Sequence, residues 1–204
     1  NEPVSLAEIE RLVDGHHHDP HSILGAHPGP GGVTIRALRP LATSVTAVLP
    51  DGSRHSMTHV HQGVFEVLVP ETAGTVPQYL LEVSYAGGDP QRQDDPYRHL
   101  PTLGELDLHL IGEGRHREVY DKLGSHPLAH EGVQGVAFAV WAPAARAVSV
   151  VGDFNSWDGR LHAMRTLGST GVWELFLPGI EPGAHYKYEL LDSQGELRLK
   201  ADPY

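Results

Sequence analysis

The residues that could do chemistry concentrate in one stretch, Gly152-Asp153-Phe154-Asn155-Ser156-Trp157-Asp158-Gly159. Asp, Asn and Gly are turn formers, but a plain connector has no use for a Phe and a Trp. Loops run over the surface, so an indole held there can lie flat against another flat, partly apolar face. A pyranose ring offers such a face. Its axial C–H groups make an apolar side, and its edge hydroxyls could be satisfied by an amide such as Asn155 or by an ammonium. The competing reading is that both aromatic rings cap the core beneath the loop. The pattern favours the core for Phe154 and ligand contact for Trp157. Lys187 stands between Tyr186 and Tyr188, and strand alternation puts it on the opposite face from both. There it is either a solvated charge or a donor to ligand oxygens, and both readings stay open. Trp141 and Trp173 sit inside apolar strand runs and read as core.

Other chemistry finds little support. His16-His17-His18-Asp19-Pro20-His21 is rich in imidazole, a zinc ligand. Adjacent ligands in a turn rarely converge on one centre, however, and no distant acidic or Cys partner stands out. The stretch reads as a helix exit and turn, with no metal site. A glycosidase needs two carboxylates flanking a bond, and no pair is marked out among the 26 acidic residues. Phosphate loop, G-x-S-x-G and H-E-x-x-H patterns are all missing. No catalytic residue and no cofactor is expected.

Composition narrows the class further. The 204 residues hold 26 acidic and 15 Lys/Arg side chains, a formal charge of −11. Nucleic-acid binding draws its affinity from neutralising phosphates with Lys and Arg, so the sign is wrong for that partner. A neutral, hydroxyl-rich ligand is not repelled. With no cysteine, disulfides, thiolate metal sites and catalytic thiols are excluded, which suits a cytoplasmic protein. No run reaches the ~20 apolar residues of a membrane helix; the nearest, Val136 to Val151, is broken by Pro143 and Arg146. No signal peptide is visible, and a chain starting at Asn1 reads as one trimmed at its start.

The elements that must position the loop are almost all strands. One short helix opens the chain over residues 5–14, where Ser5 and Glu8 stand in capping-box spacing. Leu6, Ile9, Leu12 and Val13 form its apolar stripe before Asp14-Gly15. Thereafter Val33–Leu38, Val45–Leu49, Val64–Val69 and Tyr79–Tyr85 predict strands, as do Val136–Trp141, Ala147–Val151, Val172–Leu177, Tyr186–Leu191 and Leu197–Leu199. Between the two sets, Leu106, Leu108 and Leu110 alternate like a strand, and Arg117–Leu123 reads as a turn or two of helix.

The two sets of strands are copies. Leu24-Gly25-x-His27-Pro28 returns as Leu123-Gly124-x-His126-Pro127. Gly63-Val64-x-Glu66 with Pro70 returns as Gly171-Val172-x-Glu174 with Pro178. Tyr79, Glu82 and Asp95-Pro96-Tyr97 return as Tyr186, Glu189 and Asp202-Pro203-Tyr204. A repeat near 100 residues with several strands in each copy predicts two similar all-β domains, each a β-sandwich. The expected division is 1–104 and 105–204. Only the second copy carries the aromatic loop; the first has the plain turn Leu49-Pro50-Asp51-Gly52 at that place.

The 152–159 stretch, together with Trp173-Glu174-Leu175-Phe176 and Tyr186-Lys187-Tyr188-Glu189, resembles carbohydrate-binding module family 48. Leu12-Val13-x-Gly15-His16-x-x-Asp19-Pro20-x-Ser22-x-Leu24-Gly25 is similar to the start of the extra N-terminal domain of bacterial glycogen branching enzymes. Leu197-Arg198-x-Lys200-x-Asp202-Pro203-Tyr204 is similar to the stretch at which those enzymes enter their catalytic barrel. The resemblance spans essentially the whole chain. It implies two tandem immunoglobulin-like sandwiches with a short N-terminal helix and a partly helical join. It also implies an α-1,4-glucan partner, and a parent enzyme that cuts such a glucan and transfers the segment to a 6-hydroxyl. That chemistry is a retaining double displacement without cofactor, by an Asp nucleophile and a Glu acid/base. Both would lie in the barrel, beyond Tyr204, so this chain is not expected to branch glucan alone. The family's stacking tryptophan matches Trp157 and its glucan-contacting lysine matches Lys187, with Asn155 beside them. A second tryptophan, used after the last turn in related modules, is missing from Asp192–Leu197. The alternative is a structural module that supports the barrel and tunes transferred chain length without touching sugar.

Overall fold

The computed structural model describes residues 4–70, 76–114 and 121–204. They form two compact units, one of the described residues among 4–13 and 21–98 and the other of those among 14–20 and 99–204.

In the first unit, helix α1 (Leu6–Val13) starts as its sequence predicts, with the Glu8 N–H donating to Ser5 Oγ at 3.3 Å. Eight strands follow: β1 (Gly25–Gly29), β2 (Gly32–Leu38), β3 (Ala42–Val48), β4 (Arg54–Ser56), β5 (Thr58–His61), β6 (Val64–Pro70), β7 (Leu80–Tyr85) and β8 (Gln91–Asp94). They make two antiparallel sheets, ordered β1-β2-β6-β5 and β4-β3-β7-β8. Ile35, Ala37, Phe65 and Val69 of one sheet and Val45, Ala47, Leu81 and Val83 of the other share one buried cluster, so the sheets are the layers of a sandwich. Pro28 has no N–H for a ladder, and its strand β1 lies at an edge, where none is needed.

The second unit contains α2 (Glu105–Gly112), β9 (Gly124–His130), β10 (Val133–Trp141), β11 (Ala147–Gly152), β12 (Arg165–Thr166), β13 (Val172–Pro178), β14 (Tyr186–Leu191) and β15 (Leu197–Lys200). Its sheets run β12-β13-β10-β9 and β11-β14-β15. The duplication is reproduced bond by bond. The Arg39 N–H donates to Gly63 O and the Ala142 N–H to Gly171 O, both at 2.8 Å. The Met57 N–H bonds Val45 O at 2.9 Å and the Met164 N–H bonds Val148 O at 2.8 Å. In the first unit the Tyr79 hydroxyl donates to the buried Asp95 carboxylate at 2.5 Å, whose other oxygen takes the Tyr97 N–H at 3.0 Å. In the second, Tyr186 and Tyr188 both donate to Asp202, and the Tyr204 N–H completes the motif at 3.0 Å. Burial, then the bond to Asp202, pushes the Tyr186 phenol up to about 12.

The join departs from expectation. Leu106, Leu108 and Leu110 do not form a strand; residues 105–112 are helical. The burial period explains it: Leu108 and Ile111, three apart on one helix face, pack with Leu103, Leu123, Ala139, Leu167 and Val172. Of the helix expected over 117–123, residues 117–120 lie outside the described residues. The segment before α2 is fastened to the sheet by a buried ion pair. Glu174 on β13 meets Arg165 Nε at 2.9 Å and accepts from Thr102 Oγ1 at 3.3 Å, while the Arg165 guanidinium also donates to His99 O at 3.1 Å.

Two predictions follow from these polar locks. Tyr79→Phe leaves Asp95 buried without its phenolic donor and lowers stability by about 2 kcal/mol. Tyr186→Phe costs less, because Tyr188 still donates to Asp202; denaturant unfolding of both variants checks the order. Burial raises the Glu174 carboxyl above its ordinary value, with Arg165 opposing. Between the ordinary and raised values the folded chain keeps a proton that the unfolded chain has lost, so Glu174's contribution to stability falls as pH rises through that window. Wild type minus Glu174→Gln, measured by denaturant unfolding from about pH 4.5 upward, should decline. A rise instead would mean that the Arg165 attraction outweighs desolvation.

Candidate functional site

The loop of interest replaces a hairpin turn. In the first unit β3 reaches β4 through residues 49–53, where Asp51 closes the turn on Ser53 (N–H to Oδ1 2.8 Å). In the second, β11 ends at Gly152, and the chain rejoins the same sheet edge only at residues 162–164, through Val150 N–H to His162 O at 3.0 Å and a bridge between Ser149 and Ala163. The extra length carries Trp157.

Asn155 holds the loop to its own strand. It is 4% exposed; Oδ1 accepts the Gly152 N–H at 3.0 Å, and Nδ2 donates to Val150 O at 2.8 Å and meets His162 Nδ1 at 2.9 Å. This corrects the expectation for Asn155. Its amide is spent beneath the loop rather than offered at the surface, because the backbone groups released where β11 ends need a buried partner. The chain then turns through Ser156 and Trp157, both left-handed at φ 54° and 58°. Each such residue costs about 1–2 kcal/mol, a conformation normally left to glycine.

The outcome of that turn is an oriented indole. The Trp157 N–H of the backbone returns to Gly152 O at 3.0 Å, and the ring Nε1–H donates to Asp153 Oδ1 at 3.1 Å. Trp157 as a whole remains 41% exposed. Its ring N–H is satisfied within the loop, so the exposed part of the residue offers apolar surface and no free donor. Phe154 is half-buried and packs toward Phe138 and His162, with ring centroids 6.2 and 5.8 Å away. Downstream, Asp158 and Arg160 lock together with Nη2–Oδ2 at 2.7 Å; the guanidinium holds the Asp158 carboxyl below the usual carboxylate range.

Lys187 is one residue along β14 from Tyr186, the register partner of Gly152, and itself pairs with Val151. Tyr188 is fully buried and Lys187 is exposed, as alternation requires. The loop crosses the same outward side: Gly159 lies against the carboxylate of Glu189, two residues beyond Lys187. Register and this contact bring the base of the Trp157 loop and Lys187 to one end of the β11–β14 pair. Asp153, which orients the indole, was not singled out by the sequence, though its four-residue spacing from Trp157 was available as a signal.

Of the other tryptophans, Trp173 is buried and donates to Ala142 O at 3.0 Å, as expected. Trp141 is not core: it is 50% exposed and donates to Thr170 O at 3.2 Å. Phe138 points inward, and an odd number of steps along the strand carries Trp141 to the outer face at its end. In the last turn, Asp192 accepts the N–H groups of Gln194 and Glu196, both at 2.9 Å, and no aromatic ring stands there. His17 is buried and stacks on His18, and no group of three potential metal ligands occurs among the described residues. No helix of the described residues is long and apolar enough to cross a membrane.

Comparison with known proteins follows the division into two sandwiches. Residues 5–97 match the family model of the alpha-1,4-glucan branching enzyme GlgB N-terminal domain, and residues 122–204 match carbohydrate-binding module 48, the isoamylase N-terminal domain. Among curated relatives, the 1,4-alpha-glucan branching enzyme GlgB 2 of Streptomyces coelicolor is 53% identical over 98% of this chain and 27% of its own. GlgB of Thermobifida fusca is 57% identical over 97% of this chain and 27% of its own, and that of Frankia casuarinae is 55% identical over 96% and 24%. The chain thus spans about a quarter of the length of the curated relatives it matches. It belongs to the GlgB branching-enzyme family, as that family's N-terminal domain followed by a carbohydrate-binding module of family 48.

Proposed function

We propose that the second sandwich binds α-1,4-glucan, with the face of Trp157 as a stacking platform and Lys187 as a donor to hydroxyls at its rim. The observation that carries this reading is the contrast between the copies. One scaffold is held nearly constant, while a single turn is lengthened to expose an indole whose own donor is already satisfied. Asn155 serves by holding the loop, not by touching sugar. In the full-length relatives' setting, the chain would position glucan for a catalytic barrel that forms α-1,6 branches during glycogen synthesis, in the cytoplasm. The retaining chemistry and its carboxylates belong to that barrel.

One stacked ring contributes about 0.5–1.5 kcal/mol beyond area burial, so affinity for a short glucan is low, with Kd about millimolar. Titration with maltoheptaose, followed at the indole N–H signals by NMR, should move Trp157 saturably and leave Trp173 in place. Trp157→Ala abolishes binding, and Lys187→Ala weakens it severalfold. Asn155→Ala releases three buried partners, lowers stability by about 2 kcal/mol and weakens binding with it. A wild-type Trp157 signal indifferent to millimolar sugar sinks the reading.

A second reading, mechanical support of the barrel, is favoured by the edge strand β15, where Leu197 and Leu199 are each 55% exposed, and by the half-exposed Tyr204 that follows it in the chain. On that reading Leu197→Lys with Leu199→Lys in a full-length branching enzyme lowers its melting temperature, whereas Trp157→Ala does not. Unchanged melting in the double variant would remove it.

A further inference from the structure

We propose that the strap of residues 14–20 is a working part of the glucan site, seating the outer half of the loop that carries Trp157. The inference rests on the glucan reading above and adds a positioning element that the similarity to family 48, confined to residues 122–204, leaves out. Although it follows α1 directly in sequence, the strap packs as part of the second unit.

The geometry is a close approach of two backbones, with no room for a side chain at Gly15. Gly15 is buried with φ 76°, and a Cβ built on it would stand 2.9 Å from Gly159 O and 3.3 Å from Arg160 Cα. Gly159 is buried in turn, its other side against the Glu189 carboxylate on β14. Strap, loop and strand therefore meet at Gly159, with Gly15 and the Glu189 carboxylate both against it. The strap is anchored a second time where the Thr166 N–H of β12 donates to His18 O at 3.0 Å. Between these anchors it is stiffened internally, with the Asp19 N–H on His17 Nδ1 at 3.0 Å and His17 stacked on His18.

The loop needs support on that side. Its inner half is tied to β11 through Asn155 and through the Trp157 backbone. From Asp158 to Leu161 the hydrogen bonds stay within the loop: the Asp158 N–H to Asn155 O at 3.1 Å, the Asp158–Arg160 pair, and the Leu161 N–H to Asp158 O at 3.3 Å. Gly15 meets the loop at the junction of these halves, two residues from Trp157. A residue is held in the left-handed region only when its surroundings over-determine it, and Ser156 and Trp157 occupy that region in succession. The strap closes the side of the loop that Asn155 does not reach.

Gly15→Ala tests this against Gly179→Ala. Gly179 has φ 75° and nothing within 4 Å of a built Cβ, so both variants pay the same backbone cost but only the first pushes on the loop. In the whole chain, Gly15→Ala should displace the Trp157 indole N–H signal without sugar and weaken maltoheptaose binding about fivefold or more. Trp173 should stay in place, and Gly179→Ala should do neither. A folded Gly15→Ala chain with the wild-type Trp157 signal and wild-type affinity overturns the proposal. Should Gly15→Ala not fold, amide hydrogen exchange on the wild type decides instead. Because coupling is reciprocal, maltoheptaose should slow exchange at the Thr166 N–H, which is anchored to the strap, and unchanged exchange there counts against seating. A wild type that ignores maltoheptaose sinks the glucan reading, while the sugar-free indole signal of Gly15→Ala still decides whether the strap seats the loop.

Discussion

The buried amide of Asn155 is the interaction on which the site depends. A strand that stops at Gly152 leaves backbone groups with nowhere to go, and one side chain takes up the Gly152 N–H and Val150 O together. That closure fixes the next two residues in the left-handed region, at roughly 1–2 kcal/mol apiece. Two buried hydrogen bonds return about 1 kcal/mol each in net terms, and far more is lost if their partners are left bare. The loop is therefore close to balance locally. It persists because leaving it would strand buried polar groups, and the indole's direction is set before any ligand arrives. Prior ordering of this kind removes an entropic cost that a mobile loop would meet on binding.

The two copies show what was kept and what was changed. Kept are the Tyr–Asp lock, the Met bonds that return the chain to the sheet edge, and the carbonyls of Gly63 and Gly171 that receive the strand-exit N–H groups. Changed are two neighbouring features. The closed Asp51 turn gives way to the Trp157 loop, and Leu80, at the place of Lys187 in the repeat, gives way to a cation. Platform and donor both occur in the second copy and neither in the first. On the proposed reading this restricts sugar contact to one sandwich, although both have the same backbone to offer.

How much of this was legible depended on whether the signal was periodic. Strands β2, β3, β6, β7, β10, β13 and β14, each with a neighbour on both sides, and the edge strand β11, covered by the loop, are mostly apolar runs, and their burial follows that pattern. The edge strands β1, β4, β5, β8, β9 and β12 are polar, histidine-rich or proline-bearing. They are strands because a neighbour offers a ladder, which no local window contains. The leucine alternation at 106–110 misled for the same reason: it describes spacing, while the helix is decided by what Leu108 and Ile111 find to pack against. For the proposed site, residue type singled out Trp157 and Lys187, but type is silent on direction. An Asn in a turn can face water or its own backbone, and here the stranded groups of Gly152 and Val150 decide. Trp141 stands at a strand end, where position on the pleat outweighs the apolar run around it.

Sequence similarity and packing draw the second unit differently, and the difference has a physical origin. Similarity to family 48 begins at residue 122. Packing also takes in the strap 14–20 and the join with α2. Strand β11 is buried on both faces, Ser149 and Val151 on its outward side being as deep as Val148 and Val150 facing the core. A sandwich sheet normally keeps one face in water, so an outward face this dry must be roofed. The loop crosses that face at Gly159, and Gly15 lies on the loop. On the opposite sheet, α2 with Leu103 and Leu123 covers Ala139 and Val172, while Glu174 and Arg165 fasten the segment that leads there. Both outer faces are thus covered in part by chain lying outside the matched span, Gly15 over one and α2 with Leu103 over the other. The module's exposed indole stands out against surfaces that the rest of the chain has taken care to cover.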